Sequence, residues 1–145
     1  RVHLSNPTNR RRRLRLDSYG EVILAPQAAD ARHPAFNKLF IQSEYLPDHN
    51  LLLFRRRPRS ANEKPVFLGH MLVLENGHEL TRIYETDRYK FLGRGRSVSQ
   101  PAALLGAGSL SGSTGSTLDP IYALGQEIFL DPHESVQMAW LTIAA

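Results

Sequence analysis

The sequence predicts an all-β fold, an antiparallel sandwich with one or two short helical turns. Three observations carry this: apolar residues alternate with period two in several short runs, turn formers separate those runs, and helical spacing is confined to two brief stretches. Val2 and Leu4 begin a short strand, Asn6-Pro7-Thr8-Asn9 supplies a turn, and alternation resumes from Leu14 through Leu16, Val22 and Leu24. These stretches are expected to pair as a hairpin. Phe36, Leu39 and Phe40 stand at i, i+3 and i+4, which suits a short helix burying all three. Val66 to Leu74 is rich in aliphatic and β-branched residues, Asn76-Gly77 suits a tight type I′ turn, and His78 to Glu85 returns as the second strand of a hairpin. Ser99 and Pro101 can open a turn or two of helix through Leu105. Gly106 to Thr117 is almost wholly glycine, serine and other small residues, a loop within the domain. A third hairpin is expected from Ile121 to Leu130 and Ser135 to Ile143 across Asp131-Pro132-His133-Glu134.

With 145 residues, 41% of them hydrophobic, the chain fits a single domain over 1–145 that buries roughly two-thirds of the surface its unfolded form exposes. It opens on Arg1 without a methionine and closes on the apolar strand MAWLTIAA, so it is expected to be a fragment of a larger multidomain protein. No run approaches the ~20 apolar residues of a membrane span and no signal-peptide pattern is present, so the fragment is expected to be soluble, without membrane insertion. The absence of cysteine excludes disulfides and thiolate metal sites.

The net charge of +4 owes much to two arginine clusters, Arg10 to Arg13 with Arg15, and Arg55 to Arg57 with Arg59. Arg13 and Arg15 alternate with Leu14 and Leu16, as on the wet face of a strand, and the second cluster lies beside Pro58, Ser60, Asn62 and Pro65, a loop composition. Neither has the recognition helix or stacking aromatics of a nucleic-acid surface, so no nucleic-acid partner is expected.

Glu85 and Asp87 lie two apart, on one face of any strand that contains both. Glycoside cleavage needs carboxyls that face each other across the bond, so this pair is unsuited to acid and nucleophile roles and better suited to sugar hydroxyls or to Arg82, Arg88 or Arg94. Gly93-Arg94-Gly95 and the glycine-rich run from Gly106 to Ser116 lack the lysine and strand-to-helix context of nucleotide loops. The six histidines show no HxH or HExxH spacing, and no metal site or cofactor is expected. His70 shares a face with Val66, Leu68, Leu72 and Leu74 and reads as a hydrogen-bonded core histidine. Phe36, Phe40 and Tyr45 with Lys38 and Glu44 are the alternative, a sugar platform.

Three blocks, HPAFNKLFIQSEYLP (His33 to Pro47), YETDRYKFLGRG (Tyr84 to Gly95) and LSGSTGSTLDPIYAL (Leu110 to Leu124), resemble the amino-terminal β-domain of the cellobiose and chitobiose phosphorylases, glycoside hydrolase family 94. Within that family the closest resemblance is to the phosphorylase-like region of cyclic β-1,2-glucan synthases. The resemblance implies part of a galactose-mutarotase-like supersandwich. It also implies a parent that cleaves β-glucosidic bonds with inorganic phosphate and inversion, using a carboxylic acid on an (α/α)₆ barrel absent from these 145 residues. The fragment is thus expected to have no catalytic residue, to support the barrel or a homodimer, and to meet β-glucan and phosphate only within the parent. That parent is expected at a bacterial inner membrane, with this domain cytoplasmic. The resemblance singles out Arg88 and Arg94 as donors to hydroxyls or phosphate, with Asp87 and Glu85 beside them as substrate-binding candidates.

Overall fold

A computed structural model describes residues 1–75, 78–105 and 109–145. The strands are β1 (Val2–Ser5), β2 (Arg12–Asp17), β3 (Gly20–Glu21), β4 (Ile41–Leu46), β5 (Leu51–Arg56), β6 (Val66–Leu74), β7 (Ile83–Asp87), β8 (Pro120–Leu130) and β9 (Ser135–Ala144). Three short helices join them: α1 (Gln27–Arg32), α2 (Pro34–Lys38) and α3 (Arg88–Leu92). One sheet has the order β1-β9-β6-β5-β4, with every neighbouring pair antiparallel. The other is built around β8. There, β2 and β3 follow one continuous register along an edge, from Arg12 opposite Leu130 to Glu21 opposite Ile121, and β7 takes the opposite edge.

The sheets face each other across an apolar core. Ile41, Leu52, Phe54, Leu72, Val136 and Met138 from the first sheet meet Leu124, Ile128 and Leu130 from β8. Alternation on β8 sends its even-numbered residues into this core, while Ile121 and Ala123 on its other face pack with Phe91, Leu92, Ala103 and Leu110. The amino-terminal half of β8 is therefore covered on both faces, and α3 is its lid.

The expected strands at 66–74, 121–130 and 135–143 form, but the three expected hairpins do not. β1 pairs with β9 and not with β2, β6 lies between β5 and β9 while β7 lies on β8, and β8 and β9 sit in opposite sheets. The Asn76-Gly77 turn lies outside the described residues. Alternation fixes which side chains face inward but not which strand lies alongside, and a turn serves equally to double back or to cross between sheets. The consecutive strands that do pair are β4 with β5 and β5 with β6; the tight hairpin, β4 with β5, is closed by a 3₁₀ turn at Pro47–His49 and by Asn50 in the left-handed region. The second arginine cluster is not all loop either: Arg55 and Arg56 belong to β5, and Arg56 is buried in an ion pair with Glu63.

His70 occupies the core as expected. Its ring is 2% exposed, Nε2 meets Ser18 Oγ at 2.9 Å, Nδ1 meets Thr142 Oγ1 at 2.8 Å, and the imidazole stacks on Tyr122 at 4.1 Å.

Candidate functional site

The Tyr84 to Gly95 segment runs from β7 directly into α3. Asp87 ends the strand and caps the helix, its Oδ1 accepting from the backbone N–H of Tyr89 at 2.9 Å. Phe91 and Leu92 pin the single helical turn onto β8, and Gly93 ends it at φ 78°. A Cβ at Gly93 would lie 2.7 Å from the Ala102 Cβ, so the position needs glycine for space as well as conformation. This geometry turns Tyr89, Arg94 and Arg96 outward, with Tyr89 67% exposed.

The four candidate residues occupy different environments. Glu85 is 1% exposed, and its Oε1 accepts from the N–H groups of Thr86 and Asp87, both at 3.0 Å. Its Oε2 accepts from the Ser111 N–H at 3.1 Å and from the Ser111 hydroxyl. This carboxylate ties the serine-rich loop to the edge of β7, where Gly112 also donates to the Tyr84 carbonyl at 2.9 Å and Ser113 accepts from Thr86 Oγ1 at 2.9 Å. Asp87 is the helix cap. Arg88 does not pair with either, contrary to the sequence-based pairing, because Glu85 faces inward and Asp87 is taken by the cap. Its Nε donates to Glu21 Oε1 at 3.0 Å, and its Nη1 lies 3.6 Å from Asp119 Oδ2. Lys38 Nζ closes the set on Asp119 Oδ1 at 2.5 Å, and the Tyr19 hydroxyl donates to Glu21 at 3.1 Å. Burial pushes the Tyr19 phenol up from its ordinary value, which keeps it a donor. Two cations thus balance two carboxylates at the junction of β3, α2, α3 and β8. Nothing in the local sequence around Glu21 or Asp119 signals this grouping, which the β3–β8 register creates.

Arg94 stands apart. With Gly95, Arg96, Ser97 and Gln100 it lines an open cleft beyond α3, and neither Arg94 nor Arg96 has a carboxylate partner among the described residues. Gly95 at φ 70° brings the two guanidinium-bearing residues around one turn. Donors crowd this cleft, a composition suited to phosphate or to sugar hydroxyls.

Phe36 and Leu39 are not buried, contrary to the helical-stripe reading. Phe36 is 46% exposed and meets Phe40 edge-on at 5.3 Å, with the Arg59 guanidinium 5.0 and 5.4 Å from the two rings. The buried residue of α2 is Asn37, whose Nδ2 donates to the Ala29 and His33 carbonyls at 2.8 and 3.1 Å and so turns the aromatic side outward. Tyr45 leaves this group and stacks on Tyr84 at 3.9 Å.

The first arginine cluster is largely neutralised in place. Arg11 lies 3.3 Å from Asp131, Arg13 2.8 Å from Glu127 and Arg15 2.9 Å from Asp17, pairings that suit a solvated strand face. Among the described residues no cluster of three or more His, Asp or Glu is arranged to hold a metal ion, and no helix is long and apolar enough to cross a membrane.

A sequence profile described as the glycosyl hydrolase 94 supersandwich domain matches residues 1–145. The chain belongs to that family. The supersandwich domain is also 34% identical, over all of its 145 residues, to the cyclic beta-(1,2)-glucan synthase NdvB of Rhizobium meliloti (strain 1021). It spans 5% of that relative's length. The all-β architecture agrees with the supersandwich assignment, and the blocks that carry the family resemblance fold around one region: Lys38 of the first and Asp119 of the third both reach Arg88 of the second, directly or through one shared carboxylate.

Proposed function

We propose that this supersandwich domain is a non-catalytic part of a longer enzyme of the cyclic β-1,2-glucan synthase type, in which it supports a separate catalytic barrel and offers the surface beyond α3 to glucan or phosphate. The observation that supports this reading is the division of labour within Tyr84 to Gly95. The acidic residues are spent on the fold, Glu85 on the serine-rich loop and Asp87 on the helix cap, while Arg94 remains free at an open cleft of donors. Glycoside cleavage needs an acid opposite the attacking group, and neither of these carboxylates is free to face a substrate. In this reading Arg94 contacts ligand, and Arg88, Asp87 and Glu85 hold the segment that presents it.

The test is phosphorolysis of β-1,2-linked glucose oligomers. The 145-residue chain alone is expected to release no glucose phosphate. In the longer enzyme, Arg94→Ala is expected to lower kcat/KM roughly tenfold to a hundredfold, the equivalent of one charge-assisted contact of about 1.5–3 kcal/mol, with unchanged thermal stability. Arg94→Lys should recover part of that loss, because the ammonium keeps the charge but not the planar fork. Full activity in the Ala variant would remove Arg94 from the binding role, and turnover by the isolated chain would overturn the non-catalytic assignment.

One observation favours a second reading, an independent carbohydrate-binding module: the exposed Phe36 ring, with half-buried Phe40 edge-on to it and Arg59 beside both, can stack on the apolar faces of sugars. In that case the isolated chain binds β-glucan and Phe36→Ala abolishes binding. In the preferred reading Phe36→Ala leaves glucan affinity unchanged.

A further inference from the structure

Alternation along β5 sends Leu52 and Phe54 into the core and turns Leu53 and Arg55 to the opposite side of the five-stranded sheet. Residues opposed in antiparallel register share a side, so two ranks cross the strands there: Gln42, Arg55 and Phe67 in one, Glu44 and Leu53 in the next. Between these ranks and Gly115 lies an open cleft of about 380 Å³. That is the size of a small-molecule site, roughly 300–1,000 Å³. Gly115 forms its outer wall, because N–H to carbonyl bonds of 2.9 Å in both directions with Ser43 lay the serine-rich loop along the edge of β4. A Cβ at Gly115 would meet nothing within 4 Å, so the wall opens on free space.

Phe67 is a fixed platform with an unengaged ring. Its backbone pairs with β5 on one side and with Ala145 on the other, through bonds of 2.8 and 3.0 Å, and no ring or guanidinium stacks on its side chain among the described residues. Glu44 and Arg55 are exposed diagonal neighbours of opposite charge, yet they form no ion pair, and Glu44 has no hydrogen-bond partner among the described residues. Arg55 Nη2 reaches only Gln42 Oε1, at a long 3.4 Å that a ligand hydroxyl can replace. A ring flanked by a carboxylate, a guanidinium and an amide, with formal charges that cancel, suits a neutral polyhydroxylated ligand. A β-glucoside carries its hydroxyls equatorially, so its C–H face can lie on the ring while the planar side chains hold paired hydroxyls. An anion gains little here, because Glu44 opposes what Arg55 attracts. The cleft beside Arg94 has neither ring nor carboxylate, and the Phe36 ring already carries the Arg59 guanidinium.

We propose that this cleft is a glucan-binding subsite, in which Phe67 stacks on one glucose ring and Gln42, Glu44 and Arg55 hold its hydroxyls. The inference rests on the reading of the chain as a domain of a glucan enzyme, which supplies the ligand. The cleft shares no lining residue with the one beyond α3, so it gives the domain a separate hold on the polymer.

The test is calorimetric titration of the 145-residue chain with β-1,2-linked glucose oligomers at low and high salt. Saturable binding is expected, indifferent to salt and to added inorganic phosphate because the ligand is neutral. Glu44→Ala should weaken it roughly tenfold to a hundredfold, as for loss of one hydrogen bond to a charged group, with thermal stability unchanged. Phe67→Leu, which keeps apolar bulk but not the flat face, should weaken it about tenfold. Phe36→Ala should bind as the parent chain does. Absence of saturable binding, or full affinity in either Glu44→Ala or Phe67→Leu, would overturn the subsite while leaving the domain reading, which phosphorolysis tests separately, intact. Loss of affinity in Phe36→Ala with full affinity in Phe67→Leu would move the sugar to α2 and also overturn the proposal. If Phe67→Leu lowers thermal stability, Glu44→Ala carries the decision.

Discussion

Glu85→Ala is expected to destabilise the chain by about 3–5 kcal/mol in urea unfolding at pH 7. The carboxylate is buried and accepts from three backbone N–H groups, those of Thr86, Asp87 and Ser111, as well as from the Ser111 hydroxyl. Removing it leaves the buried Thr86 N–H and the part-buried Asp87 and Ser111 N–H groups without their partner, at roughly 1–3 kcal/mol for the buried one and less for each of the others, and releases the loop that seals the edge of β7. Glu85→Gln separates the causes. The amide preserves shape and one accepting oxygen but turns an NH₂ toward the Ser111 donors, so about half of the loss should remain. An Ala variant within 1 kcal/mol of the parent chain would show that water replaces the carboxylate and that the loop is not anchored there.

The second large effect is a loss of stability in mild acid, centred on His70. Burial lowers its pKa from the ordinary 6.5 to about 4. Below pH 6.5 the unfolded chain takes up a proton that the folded chain refuses until about pH 4, so the stabilising contribution is complete above 6.5 and is lost as pH falls through that window. At 1.36 kcal/mol per unit the full loss is roughly 3 kcal/mol, with about 2 kcal/mol gone by pH 5, before most carboxylates titrate. His70→Gln keeps a neutral hydrogen-bonding side chain between Ser18 and Thr142 and should flatten the dependence between pH 7 and pH 5. If both proteins lose the same stability over that interval, His70 is not the group responsible.

These two residues show what the sequence discloses. His70 was readable because four aliphatic neighbours at period two announce a buried face, and burial of a histidine demands partners. The partners themselves, Ser18 and Thr142, lie on other strands and have no signature of their own. For Glu85 the position on a strand beside a second carboxylate suggested a binding face, because alternation treats Glu85 and Asp87 alike. A register shift between Glu85 and Asp87 and the start of α3 at Arg88 separate them, and both features come from pairing with β8. The same blindness affects the hairpins: local pattern identified β6, β8 and β9 almost to the residue, while pairing depended on competition among strands far apart in the chain. Phe36 and Leu39 depart from the expected buried stripe for a related reason. In a helix of one turn the tether of a single amide, Asn37, outweighs the preference of the aromatic side chains for the interior.

The strand pairings carry a kinetic consequence. Among the described residues β1 pairs only with β9 and β2 only with β8, so segments near the two ends of these 145 residues are joined, as in the contact between Arg1 and Gln137, 136 positions apart. Neither sheet can close until the last strands have emerged from the ribosome. Such long loops must be closed before any reward is collected, which places refolding in the millisecond-to-second range typical of non-local β topologies. During that interval the edge of β6 that β9 will pair waits without a neighbour, and a nascent chain that stalls before β9 presents that edge to any other unfinished copy.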